Sequence, residues 1–414
     1  MVSEKSNEWN ENVWFASLDL EKAFDKVFHR AVWDSLRDAG VLAGDIAAVQ
    51  SLYAGQTAHV QPEPDLRSRY LSILRGVRQG DPMSPALFAN TVRVSMRTLK
   101  EKWERLRYGT IIASSEMQRD RLTYIMFADD TTLIANSKKA LQTMLGEIQE
   151  ELGKIGMKLN ADKCHVQRCR KGGRPGRPLQ VADQKFPVVA NTDGFKVLGT
   201  ICILDGRTDA EFTARIRAAW GKFFSLQALL LKPDSCIRRR MKLFNATVSK
   251  TALWCSETWK LTVRQKRHLR ASQRSMLRKI VNVKRKPEEE YVPWVRRATR
   301  RAEEAAKSAG VPCWVEEQLR SKWRWAGKVA NMESQRWARR ATFWRDSEWW
   351  AEQPRGSSAY GVRPMRAKPG RFVRWEDDLC RFAQLQGWRS WQTAARNQLA
   401  WSQSERAFIE HIWR

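Results

Sequence analysis

The sequence predicts an α+β protein: an antiparallel sheet with packed helices over residues 1–205, a helical basic region over 206–300, and a helical, Trp-rich region over 301–414. Three observations carry this reading. Short apolar runs alternate with helical patterns as far as Cys202, and strand signals fade past Gly206. The chain holds 74 Lys+Arg against 45 Asp+Glu, a net +29, and residues 203–300 alone account for +16 of it (24 basic, 8 acidic). Twelve of the 20 tryptophans lie beyond residue 300.

Taken in order, Val13 to Leu20 (VWFASLDL) reads as a short buried strand. A helix over Lys22–Ala39 follows, with Phe24, Val27, Phe28, Ala31, Val32 and Leu36 on its core face and Gly40 to end it. A second helix starts near Met83, where Ser84 offers a cap and Pro85 a first-turn proline. Arg121–Met126 and Thr131–Ala135 read as a hairpin with the acids of Phe127–Asp130 at its tip. Ser137 caps an amphipathic helix carrying Leu141, Met144, Leu145, Ile148, Leu152 and Ile155, and Gly156 stops it before an extended segment at Leu159–Asn160.

The basic, Gly/Pro-rich stretch 168–180 reads as an exposed loop, either a solvated tip or a nucleic-acid contact. Three basic helices follow at 209–231, 235–256 and 263–281. Among the C-terminal tryptophans most are expected in the core, because the indole buries a large area; others could stack on bases. Residues 353–370 read as a flexible connector.

An apolar share of 43% excludes a disordered chain, and the positive excess calls for an acidic partner, most often nucleic acid. A solvated basic face is the alternative. Seven scattered cysteines without a CxxC pair point to reduced thiols in an intracellular protein. Cys164, His165 and Cys169 lack the fourth ligand of a zinc site. The polar N-terminus is neither a signal peptide nor a transit sequence, and no apolar run reaches membrane-spanning length, so no membrane is expected as a partner.

Asp19, at the end of a buried strand, needs a partner to offset its desolvation. Asp129 and Asp130 sit at a hairpin tip. If the two strands are neighbours, three carboxylates converge, and their repulsion calls for a divalent cation such as magnesium. Two such ions serve polymerases and nucleases alike. An Asp pair alone is a common polar turn.

Five segments in order overturn that plain reading: LDLEKAFDKV (18–27), GVRQGDPMSPALF (76–88), FADD (127–130), GMKLNADKC (156–164) and FKVLGT (195–200). Together they resemble palm motifs A to E of the reverse transcriptases of non-LTR (LINE-type) retrotransposons and their group II intron relatives. The resemblance implies a palm followed by a helical thumb, and RNA-directed DNA synthesis from dNTPs onto a primer 3′-hydroxyl with two Mg²⁺ ions, or Mn²⁺ in their place. It makes Asp19, Asp129 and Asp130 metal ligands with the Leu20 carbonyl, and Lys163 the proton donor to pyrophosphate. Phe24 becomes a steric gate against a 2′-hydroxyl, Gln79 and Gly80 line the nucleotide, Asp25 holds the strand-to-helix junction, and Gly199 supports the primer end.

Further segments resemble the thumb and downstream parts of these elements: LWCSETWKL (253–261), RSMLRKIVNV (274–283), KWRWAGKVANM (322–332) and RFVRWEDDL (371–379). Along the thumb, Arg238, Arg239, Arg240, Lys242, Arg264, Lys266, Arg267, Arg270, Arg274, Arg278, Lys279 and Lys284 are candidates for phosphate contact, which would make binding fall steeply with salt. The expected partners are an RNA template, a DNA primer and dNTPs, in the nucleus when the element is active.

One departure qualifies this. Only 18 residues precede Asp19, so the fingers of the family are expected to be missing, with the endonuclease domain and Cys/His knuckle. The reading favours a fragment of a longer element over a module that borrows fingers from another chain. Beside the polymerase stands a second hypothesis, a catalytically inactive nucleic-acid-binding remnant.

Overall fold

The computed structural model describes residues 12–61, 63, 67–112, 120–169, 176–190, 194–203, 208–343 and 374–413. They divide into two compact units, one ending at Leu198 and one formed by Gly199–Phe343 with the residues from 374 onward.

The first unit is built on five strands: β1 (Val13–Leu18), β2 (Tyr124–Phe127), β3 (Asp130–Ala135), β4 (His165–Cys169) and β5 (Val188–Val189). Their order is β5-β4-β1-β3-β2, with β5 parallel to β4 and the other neighbours antiparallel. β1 is central because it is apolar on both faces. Its even-numbered residues Trp14, Ala16 and Leu18, with Leu20 just past its end, join the core beneath the helices. The period of two therefore sends Ser17 and Asp19 to the opposite face.

Five helices accompany the sheet: α1 (Ala23–Lys26), α2 (His29–Asp38), α3 (Ala43–Tyr53), α4 (Ser84–Arg105) and α5 (Lys138–Lys154). The predicted helix over 22–39 is two helices, broken at Val27 and Phe28, both extended. Distant chain causes the break, because the Val27 carbonyl accepts from Gly76 N–H (2.8 Å) and Phe28 N–H donates to the Ile155 carbonyl (2.9 Å). At α4, Ser84 is buried and makes no cap; Asp81 accepts from Met83 N–H at 2.8 Å instead. α5 matches its expectation: Ser137 accepts from Ala140 N–H, and Leu141, Met144, Leu145, Ile148 and Leu152 are buried, each contributing about 1.5–3 kcal/mol. The strand expected over 121–126 is interrupted at Thr123, whose carbonyl accepts from Ile134 N–H.

The second unit is helical: α6 (Asp209–Ser225), α7 (Ile237–Phe244), α8 (Val263–Val281), α9 (Tyr291–Ser308), α10 (Trp314–Ala330), α11 (Asp377–Leu385), α12 (Trp391–Arg396), α13 (Gln398–Gln403) and α14 (Glu405–Trp413). The predicted helix over 235–256 continues from α7 through a π turn at Asn245–Ser249 and one more turn at Lys250–Ala252. Trp314 explains the widened turn: its ring stacks on Phe244 at 5.8 Å, and its indole N–H donates to the Ser249 hydroxyl at 2.8 Å. α8 opens on a full capping box between Thr262 and Gln265.

One hydrophobic core runs from Phe212 to Ile409, so regions 206–300 and 301–414 share it rather than each having their own. Trp314, Trp323, Trp391 and Trp401 are buried in that core. Trp323 and Trp401 stack at 3.5 Å, and each indole N–H donates to the other's backbone carbonyl. Trp325, Trp375, Trp388 and Trp413 are half-buried and Trp337 is exposed. Trp344, Trp349, Trp350 and the connector at 353–370 lie outside the described residues, as does 170–175 of the basic loop.

Candidate active site and nucleic-acid surface

The register of β1 against β3 pairs Ser17 with Thr132 and Leu18 with Thr131. The ladder ends there; continuing its register by one step would bring Asp19 opposite Asp130, and the alternation of the pleat would put both side chains on the face away from the helices. β2 and β3 are joined by the two residues Ala128 and Asp129, with Phe127 paired to Asp130. Ala128 adopts a positive φ (52°), as such a tight hairpin requires of a loop residue. The three acids are therefore gathered at one end of the sheet. They also act on one another: partial desolvation, then the charges of Asp129 and Asp19, raise the Asp130 carboxyl above the ordinary aspartate range.

The segment matched to motif D lies along the end of β1. Asn160 N–H donates to the Asp19 carbonyl and Glu21 N–H to the Lys158 carbonyl, both at 2.9 Å, around the Leu20–Leu159 bridge. Those two bonds belong to the neighbours of Leu20, so its own carbonyl is not used in the pairing with Leu159. Lys163 places its ammonium 3.9 Å from the Asp19 carboxylate. Cys164, weighed in the sequence only as one of a trio short of a zinc site, packs against Asp19 instead. Its buried Sγ accepts from Asp19 N–H at 3.3 Å, and burial pushes the thiol up to about 11, so it stays protonated.

Among the described residues, no three His, Cys, Asp or Glu side chains are gathered tightly enough to hold a metal ion as they stand. The donor chemistry is nevertheless of the kind a hard divalent cation takes, since the three side chains at this end of the sheet are carboxylates.

The loop matched to motif B is tied to the residues after Asp19. Val77 N–H donates to the Phe24 carbonyl at 2.7 Å, and His29 Nε2 lies 2.8 Å from the Gly76 carbonyl. The Gln79 amide donates to the Asp25 carboxylate at 3.0 Å, which ties this loop to the first helix. Phe24 is half-buried and stacked on the buried Phe88 at 4.6 Å, so its ring has a fixed backing. Gly80 has a positive φ of 86° with open space where a Cβ would project.

In the helical unit, Gly199 sits in a turn held by its neighbours. Arg215 donates to its carbonyl, and the Glu211 carboxylate accepts from Ile201 N–H at 2.6 Å. Of the candidate phosphate contacts, Arg238, Arg239, Lys242, Arg264, Arg267, Lys279 and Lys284 are exposed. Arg240 is turned inward, donating to the carbonyls of Ser235, Leu230 and Ile280, and is corrected to a structural residue. Lys266 is likewise buried, with its ammonium 3.2 Å from the Ile412 carbonyl. Arg270 and Arg274 pair with Glu303 at 3.7 and 2.6 Å, Arg270 also lies over Trp413, and Arg278 donates to Thr299.

The two downstream segments meet inside this unit. Lys322, 1% exposed, pairs with Asp378 at 3.0 Å beneath Trp375. Burial would raise the Asp378 carboxyl, but the charges of Lys322, Lys266 and Arg381 hold it below its usual range. No helix among the described residues is long and apolar enough to cross a membrane.

Residues 3–202 match the family described as reverse transcriptase (RNA-dependent DNA polymerase). The chain is similar to the retrovirus-related Pol polyprotein from type-2 retrotransposable element R2DM of Drosophila melanogaster, 30% identical over 50% of this chain and 19% of that one. It is similar to the Pol polyprotein from element R2 of Nasonia vitripennis, 28% identical over 46% of this chain and 18% of that one. A transposon-derived protein of Caenorhabditis elegans is 26% identical over 68% of this chain and 94% of that one. The matched stretch thus spans about a fifth of each Pol polyprotein. The sheet with its helices, the ordered motifs and these matches lead to one assignment: residues 3–202 are a reverse transcriptase domain, homologous to that of the R2-type Pol polyproteins of non-LTR retrotransposons.

Proposed function

We propose that the chain carries RNA-templated DNA synthesis, extending a primer 3′-hydroxyl with dNTPs. The observation that best supports this is the β1–β3 register, whose continuation by one step would bring Asp19 opposite Asp130, with Asp129 on the adjoining turn. In this reading Asp19, Asp129, Asp130 and the Leu20 carbonyl would hold two Mg²⁺ ions. Those ions, when bound, supply activation of the attacking hydroxyl and charge stabilisation of the leaving pyrophosphate.

The remaining work falls to the chain's own side chains. Lys163, paired to Asp19, holds a proton beside the reacting phosphates and can release it to pyrophosphate. Phe24, backed by Phe88, presents a rigid edge where a ribonucleotide would carry its 2′-hydroxyl, and so selects dNTPs. Gln79, tethered to Asp25, fixes the loop that lies along the nucleotide, and Gly80 leaves that approach open.

The test is primer extension on an RNA template with Mg²⁺ and dNTPs. Asp129→Ala removes an exposed side chain, so melting should stay within about 0.5 kcal/mol of the parent. Extension should fall by about a thousand-fold, the loss of roughly 4 kcal/mol of transition-state stabilisation. Extension that survives the substitution sinks the assignment of this site. Salt-sensitive binding without any incorporation by the parent chain favours a non-catalytic nucleic-acid-binding role instead.

A further inference from the structure

From Ile237 to Ala252 the chain runs as one helical stretch through its π turn, and a 3-10 turn follows at Ser256–Thr258. From Ile237 to Cys255 the exposed positions are Arg238, Arg239, Lys242, Ala246, Lys250 and Trp254, a repeat close to four residues that marks a single solvent face. That face holds four cations, one small residue, one indole and no acid. Among the described residues no carboxylate pairs with any of the four cations. Some cations of this unit are neutralised, Arg270 and Arg274 by Glu303 and Arg297 by Glu289, while Arg264, Arg267, Lys279 and Lys284 are exposed like those of the ridge; what sets the ridge apart is the indole at its end.

The ridge ends in an unusual place. Cys255 takes a positive φ of 53° and turns the chain out of the helix, leaving the Trp254 side chain 51% exposed. A Cβ built on Gly199 would lie 3.8 Å from the Trp254 indole nitrogen, so this indole flanks the turn matched to motif E. Trp259, five residues on in the same segment, is 1% exposed and belongs to the core. Single exposed apolar side chains are ordinary; an indole that closes an unneutralised basic row beside an anchored glycine turn has a ligand-shaped reason to be there. Four residues of helix advance about 6 Å, so the row can follow successive phosphates of one strand.

We propose that Trp254 is a stacking residue for the primer strand, and that Lys250, with Arg238, Arg239 and Lys242, carries that strand's phosphates to it. The proposal rests on the polymerase reading above and adds to it a named positioning residue. An aromatic platform tolerates any base, which suits a surface that must grip a primer regardless of sequence.

The test uses the full chain with a fluorescein-labelled DNA primer annealed to an RNA template, the primer carrying 5-iodo-2′-deoxyuridine at successive positions from its 3′ end. Ultraviolet cross-linking of the parent should place an adduct on the peptide that contains Trp254. Trp254→Ala should weaken binding about ten-fold with an unchanged salt slope, and Trp254→Phe should restore most of the loss. Lys250→Gln should instead lower the salt slope by about one, uniformly across sequences.

Cross-linking needs no turnover, so the two readings fail separately. A parent that extends primers, while Trp254→Ala binds as tightly and no adduct maps to Trp254, overturns the stacking assignment alone. A parent that binds and cross-links at Trp254 without extending supports the ridge and removes the polymerase reading. A parent that does not bind the primer–template overturns both.

Discussion

In the sheet unit the residues that make its motifs recognisable stand in water: Asp129, Asp130, Gln79 and Lys163 are all exposed. In the helical unit the residues of the downstream segments do the reverse. Lys322 and Trp323 are each 1% exposed, Asp378 is buried, and Gly327 exists to admit the Trp401 indole, which a Cβ there would meet at 2.7 Å. Both units carry conspicuous sequence patterns, yet one pattern marks chemistry and the other marks packing. What separates them is burial: Gln79 and Lys163 meet Asp25 and Asp19 at the surface, whereas Lys322 and Asp378 meet inside the core.

The sharpest way to break that contrast is Lys322→Met. Removing the cation leaves Asp378 buried with only Arg381 at the surface and the charge of Lys266 to offset it, and breaking a buried pair in this way costs about 3–5 kcal/mol. Urea unfolding followed by tryptophan fluorescence should show this loss. The double substitution Lys322→Met with Asp378→Leu should recover most of it, because a buried ion pair is replaceable by well-packed apolar groups. A loss under about 1 kcal/mol for the single variant would mean that the two segments do not serve packing.

Within the sheet unit the sharper test lies between two glycines of one loop. Gly76 (φ 90°) is buried, and a Cβ there would sit 2.7 Å from the Asp25 carbonyl oxygen, a backbone atom that cannot yield. Gly76→Ala should therefore cost about 2–3 kcal/mol and pull the loop from the residues that follow Asp19. Gly80→Ala meets nothing within 4 Å and should cost only the backbone term, about 1 kcal/mol. Equal losses in thermal melting would show that the tie between the two segments contributes no stability.

How much of this was legible follows the range of the interactions. The strand before Asp19, the acidic hairpin and helix α5 could be read because each rests on neighbours in sequence: alternation, a two-residue turn, a Ser cap. The break at Val27–Phe28 could not, because Gly76 and Ile155 impose it from far along the chain. Arg240 looks identical to Arg238 and Arg239 in the run RRR; only its place on the inner side of α7 commits it to three carbonyls. Lys322 and Asp378 lay in two segments noticed separately, and nothing local joins residues 56 apart.

The smallest predicted effect tests a case between the two regimes, the ion pair at the start of α9. Glu289 accepts two hydrogen bonds from the Arg297 guanidinium, and these hold its carboxyl at about 2, against an ordinary glutamate value of 4.5. A depressed carboxylate stabilises the fold fully above its unfolded value and loses that contribution as pH falls through 4.5 toward 2. Urea midpoints of the parent should therefore drop further than those of Glu289→Gln between about pH 6 and about pH 3, the difference isolating this pair from other acids such as Asp378. The pair stands at the surface, so solvent screening keeps the effect small and added salt should shrink it further. Parallel pH curves would place Glu289 with the solvated charges of the ridge, and the line between engaged and unengaged charge in the helical unit would have to be redrawn at Arg297.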